Sequence, residues 1–303
     1  MPIRDFAAKA ERPDFEVVAQ TLTLSDALLH GVQTLPRALG ALVKDSVYGV
    51  ALLSDRNTRL LEPTILLTDR IARGVATSFE ATRIPGLSEA LPTLLGQDTP
   101  WISKIRLMGV APLEEHIVPG DSVTAGRRGT VGAGVRWASN YGFLTAGHVA
   151  ALNSSALCGG VPVGSVVYSN DPAGHGPKIE DDVAVIQLLS SSVFTQNISG
   201  LGQAGPGDNV SIQSPSISAP AQIQGYATFF HSPGSNATYG ELYMTHKQVT
   251  QPGHSGAAVL DSAGNLLGHV IGGSAGNFSY IQDIHFQLGI IDSQPGFSGI
   301  TVW

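Results

Sequence analysis

Three short stretches of the chain carry side chains that together could hydrolyse an acyl group. They are NYGFLTAGHVAAL (140–152) with His148, EDDVAVIQL (180–188) with Asp182, and QPGHSGAAV (251–259) with Ser255. Such chemistry needs a hydroxyl or thiol nucleophile, a base within hydrogen-bond reach, and a carboxylate that orients the base. It also needs backbone N–H groups that stabilise the developing oxyanion. The sequence offers a candidate for each role.

The serine stretch has the composition of a tight loop. Ser255 lies between Gly253 and Gly256, which would expose its hydroxyl. Glycine at 253 permits a backbone conformation that a side chain would resist, so the N–H groups of Gly253 and Ser255 can be directed at one point. We expect these two amides to form an oxyanion hole.

The histidine has three interpretations: a satisfied core residue, a metal ligand, or a catalytic base at the end of a strand. No Cys/His cluster with metal-ligand spacing accompanies His254, His269 or His285, and we expect neither a metal nor a cofactor. Asp182 directly precedes an apolar strand, so its carboxylate would lie at the strand's mouth, beneath the imidazole of His148. The neighbouring Asp181 could exchange roles with it.

The motifs LTAGHV, DDVAVIQL and GHSGAAV, in that order, resemble the histidine, aspartate and serine motifs of the chymotrypsin-fold (trypsin-like) serine peptidases. The resemblance covers roughly residues 118–293 and is greatest to the compact bacterial branch. It implies two antiparallel Greek-key β-barrels, at about 118–195 and 200–293, with the active site in the cleft between them. It also implies a serine endopeptidase that works through an acyl-enzyme, with His148 as base and Asp182 holding its tautomer.

The same resemblance implies where the substrate would bind. Val249 would lie near the base of the primary specificity pocket, and its walls would be formed by Thr250, Val270, Gly272 and Gly273. No carboxylate stands at these positions, so we expect an uncharged, small-to-medium residue at the cleavage point. The expected partner is a protein or peptide substrate.

Other functions remain open on the sequence. The barrels could form a non-catalytic peptide-binding or partner-interaction module. Cys158, followed by glycines, is a minor alternative nucleophile. GHSGA could instead be a nucleophile elbow with Asp283 and His285 as later partners. However, only 48 residues follow Ser255, they are predicted as strands, and position 257 is alanine. His254, His269 and His285 are interpreted as structural.

Composition favours a β-rich protein and excludes several classes of partner. Charged residues make up 14% of the chain, against about 25% on average, and there are 36 glycines. The net charge of −7 argues against nucleic-acid binding. No stretch approaches the ~20 apolar residues of a membrane span, and the first residues lack a signal-peptide pattern. A single cysteine, Cys158, allows no intrachain disulfide, so a cytoplasmic location is expected. Composition does not predict an oligomeric state.

The sequence pattern changes near residue 115, from helical periodicity to short apolar runs. We expect an N-terminal α/β accessory or regulatory region over 1–115 and a peptidase domain over 116–303. In the N-terminal region, periodicity predicts a helix within 13–44 that begins at Ser25, two strands within 46–69, and a second helix at about 70–82. This region could be an inhibitory segment removed by self-cleavage, a recruitment module, or a subdomain packed on the first barrel.

Beyond residue 118, short apolar runs are separated by glycine, serine and asparagine, which is typical of antiparallel β-structure. The clearest hairpin is VLDSAGNLLGHVI (259–271), with its turn at 262–265. FSYIQDIHFQLGII (278–291) is predicted as a further strand.

Overall fold

The computed structural model describes residues 15–34, 47–54, 61–68, 106–110, 123–158, 160–189, 196, 198–214 and 219–303. Within these residues the protein is mainly β, as expected. The helices are α1 (Phe15–Thr34) and α2 (Ile284–Asp292). The strands, in chain order, are β1 (Val47–Ser54), β2 (Leu61–Thr68), β3 (Arg106–Val110), β4 (Val123–Thr124), β5 (Arg128–Gly129), β6 (Gly134–Trp137), β7 (Asn140–Thr145), β8 (Ser155–Cys158), β9 (Val161–Asn170), β10 (Ile179–Glu180), β11 (Val183–Leu188), β12 (Gly200–Leu201), β13 (Asn209–Gln213), β14 (Ala219–Ser232), β15 (Ala237–Thr245), β16 (Ala258–Asp261), β17 (Asn265–Gly273), β18 (Ser279–Asp283) and β19 (Thr301–Val302).

The first sheet contains the histidine and aspartate motifs. Its strand order is β19-β6-β7-β11-β9-β8-β4-β5, and it curls around its own apolar cluster, which includes Phe143, Val166 and Ile186. Strands β7 and β11 are antiparallel neighbours in which Thr145 pairs with Ala184. The chain leaving β7 and the chain entering β11 therefore lie at the same end of the sheet.

The second sheet contains the serine motif and closes on itself. Pairings run β13-β14-β15-β18-β17-β16 and back from β16 to β13, which completes a six-stranded barrel. Closure leaves none of these six strands with a fully open edge. The predicted hairpin is confirmed, since β16 and β17 pair antiparallel across a turn in which Gly264 has φ +82°. The expected two-barrel class is confirmed.

The N-terminal strands belong to the sheet of the second barrel. Strand β14 runs past the end of β13, and β1 pairs with the edge that β13 leaves open, from Gly49–Phe230 to Leu53–Gly225. Strands β2 and β3 follow outward, and the predicted strand pair within 46–69 is confirmed. The subdomain alternative placed this region on the first barrel, whereas its described strands pair with the second. The expected boundary near 115 and the predicted helix at 70–82 lie outside the described residues.

Helix α1 does not begin at Ser25. It starts at Phe15, and Ser25 lies in its interior, where its hydroxyl donates to the Thr21 carbonyl (3.0 Å) and pairs with Thr228 Oγ1 (2.9 Å). Serine is a frequent N-cap, but back-bonding to the preceding turn also satisfies it inside a helix. Among the described residues, no helix is long and apolar enough to cross a membrane.

The predicted strand over 278–291 is half wrong. Strand β18 ends at Asp283, whose Oδ1 accepts from Phe286 N (3.0 Å) and caps α2. Ile284, Leu288 and Ile291 recur with helical spacing on the buried face of α2. They join an apolar cluster with residues of both sheets, including Leu144 and Leu260. Helix α2 therefore packs at the junction of the two barrels.

Candidate active site

His148 lies in a short 3₁₀ turn, Gly147–Val149, directly after β7. The turn is possible because residue 147 is glycine: an added Cβ would overlap the Asn170 carbonyl oxygen and lie 3.0 Å from Val183 N. The chain entering β11 therefore passes directly behind the turn. His148 is buried at this position.

Asp182 holds His148 with both carboxylate oxygens. Oδ2 lies 2.7 Å from the imidazole Nδ1, and Oδ1 accepts from the His148 backbone N–H at 2.9 Å. An ionised carboxylate can accept hydrogen bonds but cannot donate them. Opposite an ionised Asp182, the imidazole Nδ1 therefore carries the proton, and Nε2 is the basic nitrogen. Both the orientation and the tautomer of the ring follow from this one side chain.

Asp181 points to different partners. Its oxygens accept from Asn170 Nδ2 (2.6 Å) and Tyr168 OH (3.0 Å). Burial raises the pKa of Asp181 to about 6, against the opposing effect of these hydrogen bonds. Of the two neighbouring aspartates, Asp182 is therefore the one hydrogen-bonded to the histidine.

Ser255 lies in a loop shaped by glycines. Gly253 has φ +96° and Gly256 has φ +88°, conformations that L side chains rarely adopt. A Cβ on Gly256 would overlap the Thr130 carbonyl oxygen and lie 2.9 Å from Ala146 N. The serine loop of the second barrel thus abuts the chain two residues before His148.

Thr130 anchors the serine loop to the first sheet, and sequence reasoning missed it. Its backbone N–H donates to the Ser255 carbonyl (2.7 Å), and its hydroxyl donates to the Gly253 carbonyl. Thr145 in turn donates to the Thr130 carbonyl at 2.8 Å. Nothing in the local sequence GTVGAG distinguishes this threonine from an ordinary strand residue, because the Gly253 and Ser255 carbonyls that it binds lie more than 120 positions away.

The residues assigned to the specificity pocket lie on two segments joined by Ser279, another residue that sequence reasoning missed. Ser279 Oγ accepts from the N–H groups of Val249 (2.9 Å) and Thr250 (3.0 Å), and lies 2.8 Å from Thr250 Oγ1. Gly272 and Gly273 pair with β18. The Val270 carbonyl accepts from Gly256 N (2.7 Å), which places β17 against the serine loop.

Three other histidines have structural contacts, in line with their interpretation. His254 Nε2 lies 3.2 Å from Ser214 Oγ, and burial lowers the pKa of this imidazole. His269 is fully buried, and burial lowers its pKa to about 4. His285 Nε2 lies 3.3 Å from the Gly202 carbonyl oxygen.

The rival nucleophiles fit the structure poorly. A nucleophile elbow requires a helix after the serine, whereas Ser255 is followed by strand β16 and Asp283 caps α2. Burial raises the pKa of the Cys158 thiol in β8, which disfavours the thiolate that a cysteine nucleophile needs. In the part of the chain that the structure describes, no group of three His, Cys, Asp or Glu side chains could hold a metal ion.

Comparisons with known proteins found solved structures that are similar to this chain. No protein-family model and no curated protein matches the chain. It is similar to a Nocardiopsis protease (22% identity, TM-score 0.48) and to protease A of Thermobifida fusca (21%, 0.48). A Cellulomonas bogoriensis chymotrypsin is 20% identical, with a TM-score of 0.47. Each similarity covers 62% of this chain and 98% of the other. At these identities and TM-scores, the function must be inferred from this chain's own residues.

Proposed function

We propose that the protein is a serine endopeptidase in which Ser255, His148 and Asp182 act as a catalytic triad. The observation that carries the proposal is the two-point grip of Asp182 on His148, at a sheet end against which the serine loop packs. A purely structural histidine would need a hydrogen-bond partner, but not a carboxylate on one side and a glycine-shaped serine loop on the other.

In the proposed reaction, His148 Nε2 removes the Ser255 hydroxyl proton as Oγ attacks the peptide carbonyl carbon. The negative charge that develops on the carbonyl oxygen is stabilised by the N–H groups of Gly253 and Ser255. The imidazolium then protonates the leaving amine, which leaves an acyl-enzyme on Oγ. Water attacks this ester with the same histidine as base, and the serine recovers its proton. Asp182 stabilises the imidazolium in both halves.

The substrate we propose is a protein or peptide with an uncharged, small-to-medium residue before the cleaved bond. The assigned pocket residues are Val249, Thr250, Val270, Gly272 and Gly273, and none of them supplies a carboxylate for a basic side chain. A peptide library digested by the protein tests this preference. Cleavage mainly after arginine or lysine would contradict it.

A non-catalytic binding module is the second candidate. The observation that favours it is the burial of both residues, since Ser255 is 0% and His148 only 3% exposed. Against it stands the arrangement of acid, base and hydroxyl, which a binding surface does not need.

Covalent labelling with a fluorophosphonate probe separates these candidates. We expect the folded wild-type protein to be labelled at Ser255, with no labelling of Ser255→Ala. Ser262→Ala, in the exposed β16–β17 turn, is the matched control and should label like the wild type. A folded wild-type protein that stays unlabelled would favour the binding module.

Mass spectrometry of the incubated protein, with Ser255→Ala alongside, shows whether residues 1–115 are removed by self-cleavage.

A further inference from the structure

A chain of three buried polar side chains crosses the boundary between the barrels beside the proposed site. Asp182 N donates to Gln282 Oε1 (2.7 Å), and Gln287 Nε2 donates to the same oxygen (3.2 Å). His269 Nδ1 lies 2.8 Å from Gln287 Oε1. At the far end, Ala133 N donates to His269 Nε2 at 3.1 Å. We call Gln282, Gln287 and His269 the polar bridge.

The direction of every hydrogen bond in the polar bridge is determined by its two ends. A backbone N–H can only donate, so Ala133 makes His269 Nε2 an acceptor and leaves the proton on Nδ1. Gln287 must then present its oxygen to His269 and its amino group to Gln282. The neutral form of His269 that this requires agrees with the low pKa that burial imposes.

Gln282 has no spare hydrogen-bonding capacity. Its amino group donates to the Glu180 carbonyl (3.1 Å) and the Gly240 carbonyl (2.9 Å), while its oxygen accepts two hydrogen bonds. The side chain is completely buried. A buried amide with all four positions engaged is held rigidly and holds its partners in return. Gln282 therefore ties the segment 180–182 to the second barrel.

The far end of the polar bridge reaches the segment that anchors the serine loop. Ala133 lies three residues after Thr130, which binds the carbonyls on either side of His254. Between them, Gly132 is so close that an added Cβ would lie 2.6 Å from the Gly256 carbonyl oxygen and 2.5 Å from His269 Cδ2. The same four residues thus contact both the polar bridge and the serine loop.

We propose that Gln282 is a positioning residue for the proposed triad, and that Gln287 and His269 extend its hold to segment 130–133. One hydrogen-bonded chain thereby keeps Asp182 and the Ser255 loop in register across the two barrels. The inference rests on the proposed function. Such positioning matters because a catalytic group misplaced by about 1 Å can lower the reaction rate about 100-fold.

Gln282→Met is the first test, since methionine keeps the length of the side chain and removes its hydrogen bonds. We expect the limiting rate of Ser255 labelling by the fluorophosphonate to fall at least tenfold, with the half-saturating probe concentration unchanged. Gln187→Met is the matched control. Gln187 lies in β11, five residues after Asp182, and its side-chain amide donates to Asn140 Oδ1 (3.0 Å). It should label within twofold of the wild type.

The pH dependence of labelling gives a readout that a merely structural role would not move. An imidazolium loses stabilisation when its carboxylate is displaced, so the acid limb should shift to lower pH in Gln282→Met. A folded Gln282→Met variant with the wild-type limiting rate and the wild-type acid limb would overturn the proposal.

Two further measurements keep the inference testable if these experiments fail. If Gln282→Met does not fold, Gln287→Met retains the Gln282–Asp182 bond and detaches only His269. A limiting rate reduced about threefold supports the extended bridge, and an unchanged rate overturns it. If the wild type is not labelled at all, the proposed function fails, but hydrogen exchange of the Asp182 amide still reports positioning. Faster exchange in Gln282→Met than in Gln187→Met supports the bridge, and equal exchange overturns it.

Discussion

The two barrels contribute to the site by different means. In the first, the proposed acid and base are held by side-chain hydrogen bonds at the ends of paired strands, with Asp182 binding both the ring and the backbone of His148. In the second, Ser255 is positioned by backbone conformation, in a loop bounded by two glycines with positive φ. We therefore expect the part of the site in the first barrel to be sensitive to the chemistry of its side chains. The serine loop of the second barrel should instead be sensitive to any side-chain atom added at its glycines.

The barrels also differ in what surrounds them. The described N-terminal strands extend the second barrel alone, and Val18, Leu52 and Leu61 share an apolar cluster with Tyr226 and Ala257 in its core. Among the described strands, the one added to the first barrel is β19, near the C-terminal end of the chain. Loss of the N-terminal strands would therefore expose apolar surface of the barrel that carries the serine.

Asp182→Asn should have the largest effect. An amide at this position can donate to Nδ1 and so stabilise the wrong imidazole tautomer, which in such triads lowers turnover on the order of 10⁴-fold. The labelling rate of folded protein is the measurement. Asp181→Asn is the control, and it should stay within tenfold because Asp181 bonds Tyr168 and Asn170 instead. Equal losses in the two variants would contradict the assignment of Asp182.

Gly256→Ala should abolish most labelling by displacing the serine loop. Its Cβ would overlap the Thr130 carbonyl oxygen, in addition to about 1–2 kcal/mol of strain at positive φ. Gly276→Ala separates the two costs, since Gly276 has φ +74° but nothing within 4 Å of an added Cβ. Urea unfolding should show the strain in both variants, and labelling should fall only in Gly256→Ala. Normal labelling of Gly256→Ala would contradict a backbone-positioned nucleophile.

Thr130→Val should lower the labelling rate about tenfold. The substitution keeps the side-chain shape and removes the hydroxyl that binds the Gly253 carbonyl. Leaving this partly buried acceptor without its donor costs at most roughly 1–3 kcal/mol, which would appear in urea unfolding. Thr64→Val, a buried threonine bonded to the Glu62 carbonyl in β2, is the control for stability without an effect on labelling. A rate unchanged in Thr130→Val would show that the glycines suffice.

Glu241→Gln should leave labelling unchanged and alter stability with pH. Burial raises the pKa of Glu241 to about 7 from an ordinary value of 4.5, although Tyr226 OH donates to it. The native state thus holds the proton more tightly than the unfolded state, so wild-type stability declines as pH rises from about 4.5 to 7. The neutral glutamine removes this decline, so at pH 8 the variant should be more stable by on the order of 1–3 kcal/mol. Urea unfolding at pH 5 and 8 measures this difference in stability, and Glu16→Gln, at an exposed position, is the control. An equal pH dependence of stability in the wild type and in Glu241→Gln would contradict the prediction.

Local patterns predicted a substantial part of this fold. The hairpin at 259–271 and the strand pair within 46–69 follow from alternating apolar residues and turn-forming clusters that act over a few positions. The error at 284–291 has the same origin. Ile284, Ile290 and Ile291 have strand propensity, while the helix is stabilised by its Asp283 cap and by burial between the barrels. Tertiary packing overrides weak local preference.

The sequence indicated the side chains of the candidate site, but not the residues that support them. Gly147, Gly253 and Gly256 stand beside the candidate catalytic side chains, so the motifs already include the close approaches that shape the loops. Thr130, Ser279 and Gln282 are different, because each acts on a segment about 30 to 125 positions away. A hydroxyl or amide whose partner lies far away in the chain has no local signature.

By itself, the sequence determined which chemical groups are available, their order, and the β-rich character of the chain, since these depend on residue types and short-range periodicity. The tertiary structure alone decided that Asp182 rather than Asp181 meets His148, and that the N-terminal strands extend the second barrel. It also decided that a glutamine of the second barrel holds the aspartate of the first. The physical reason is that a hydrogen bond requires both distance and direction, and strand pairing determines these between residues far apart in the chain.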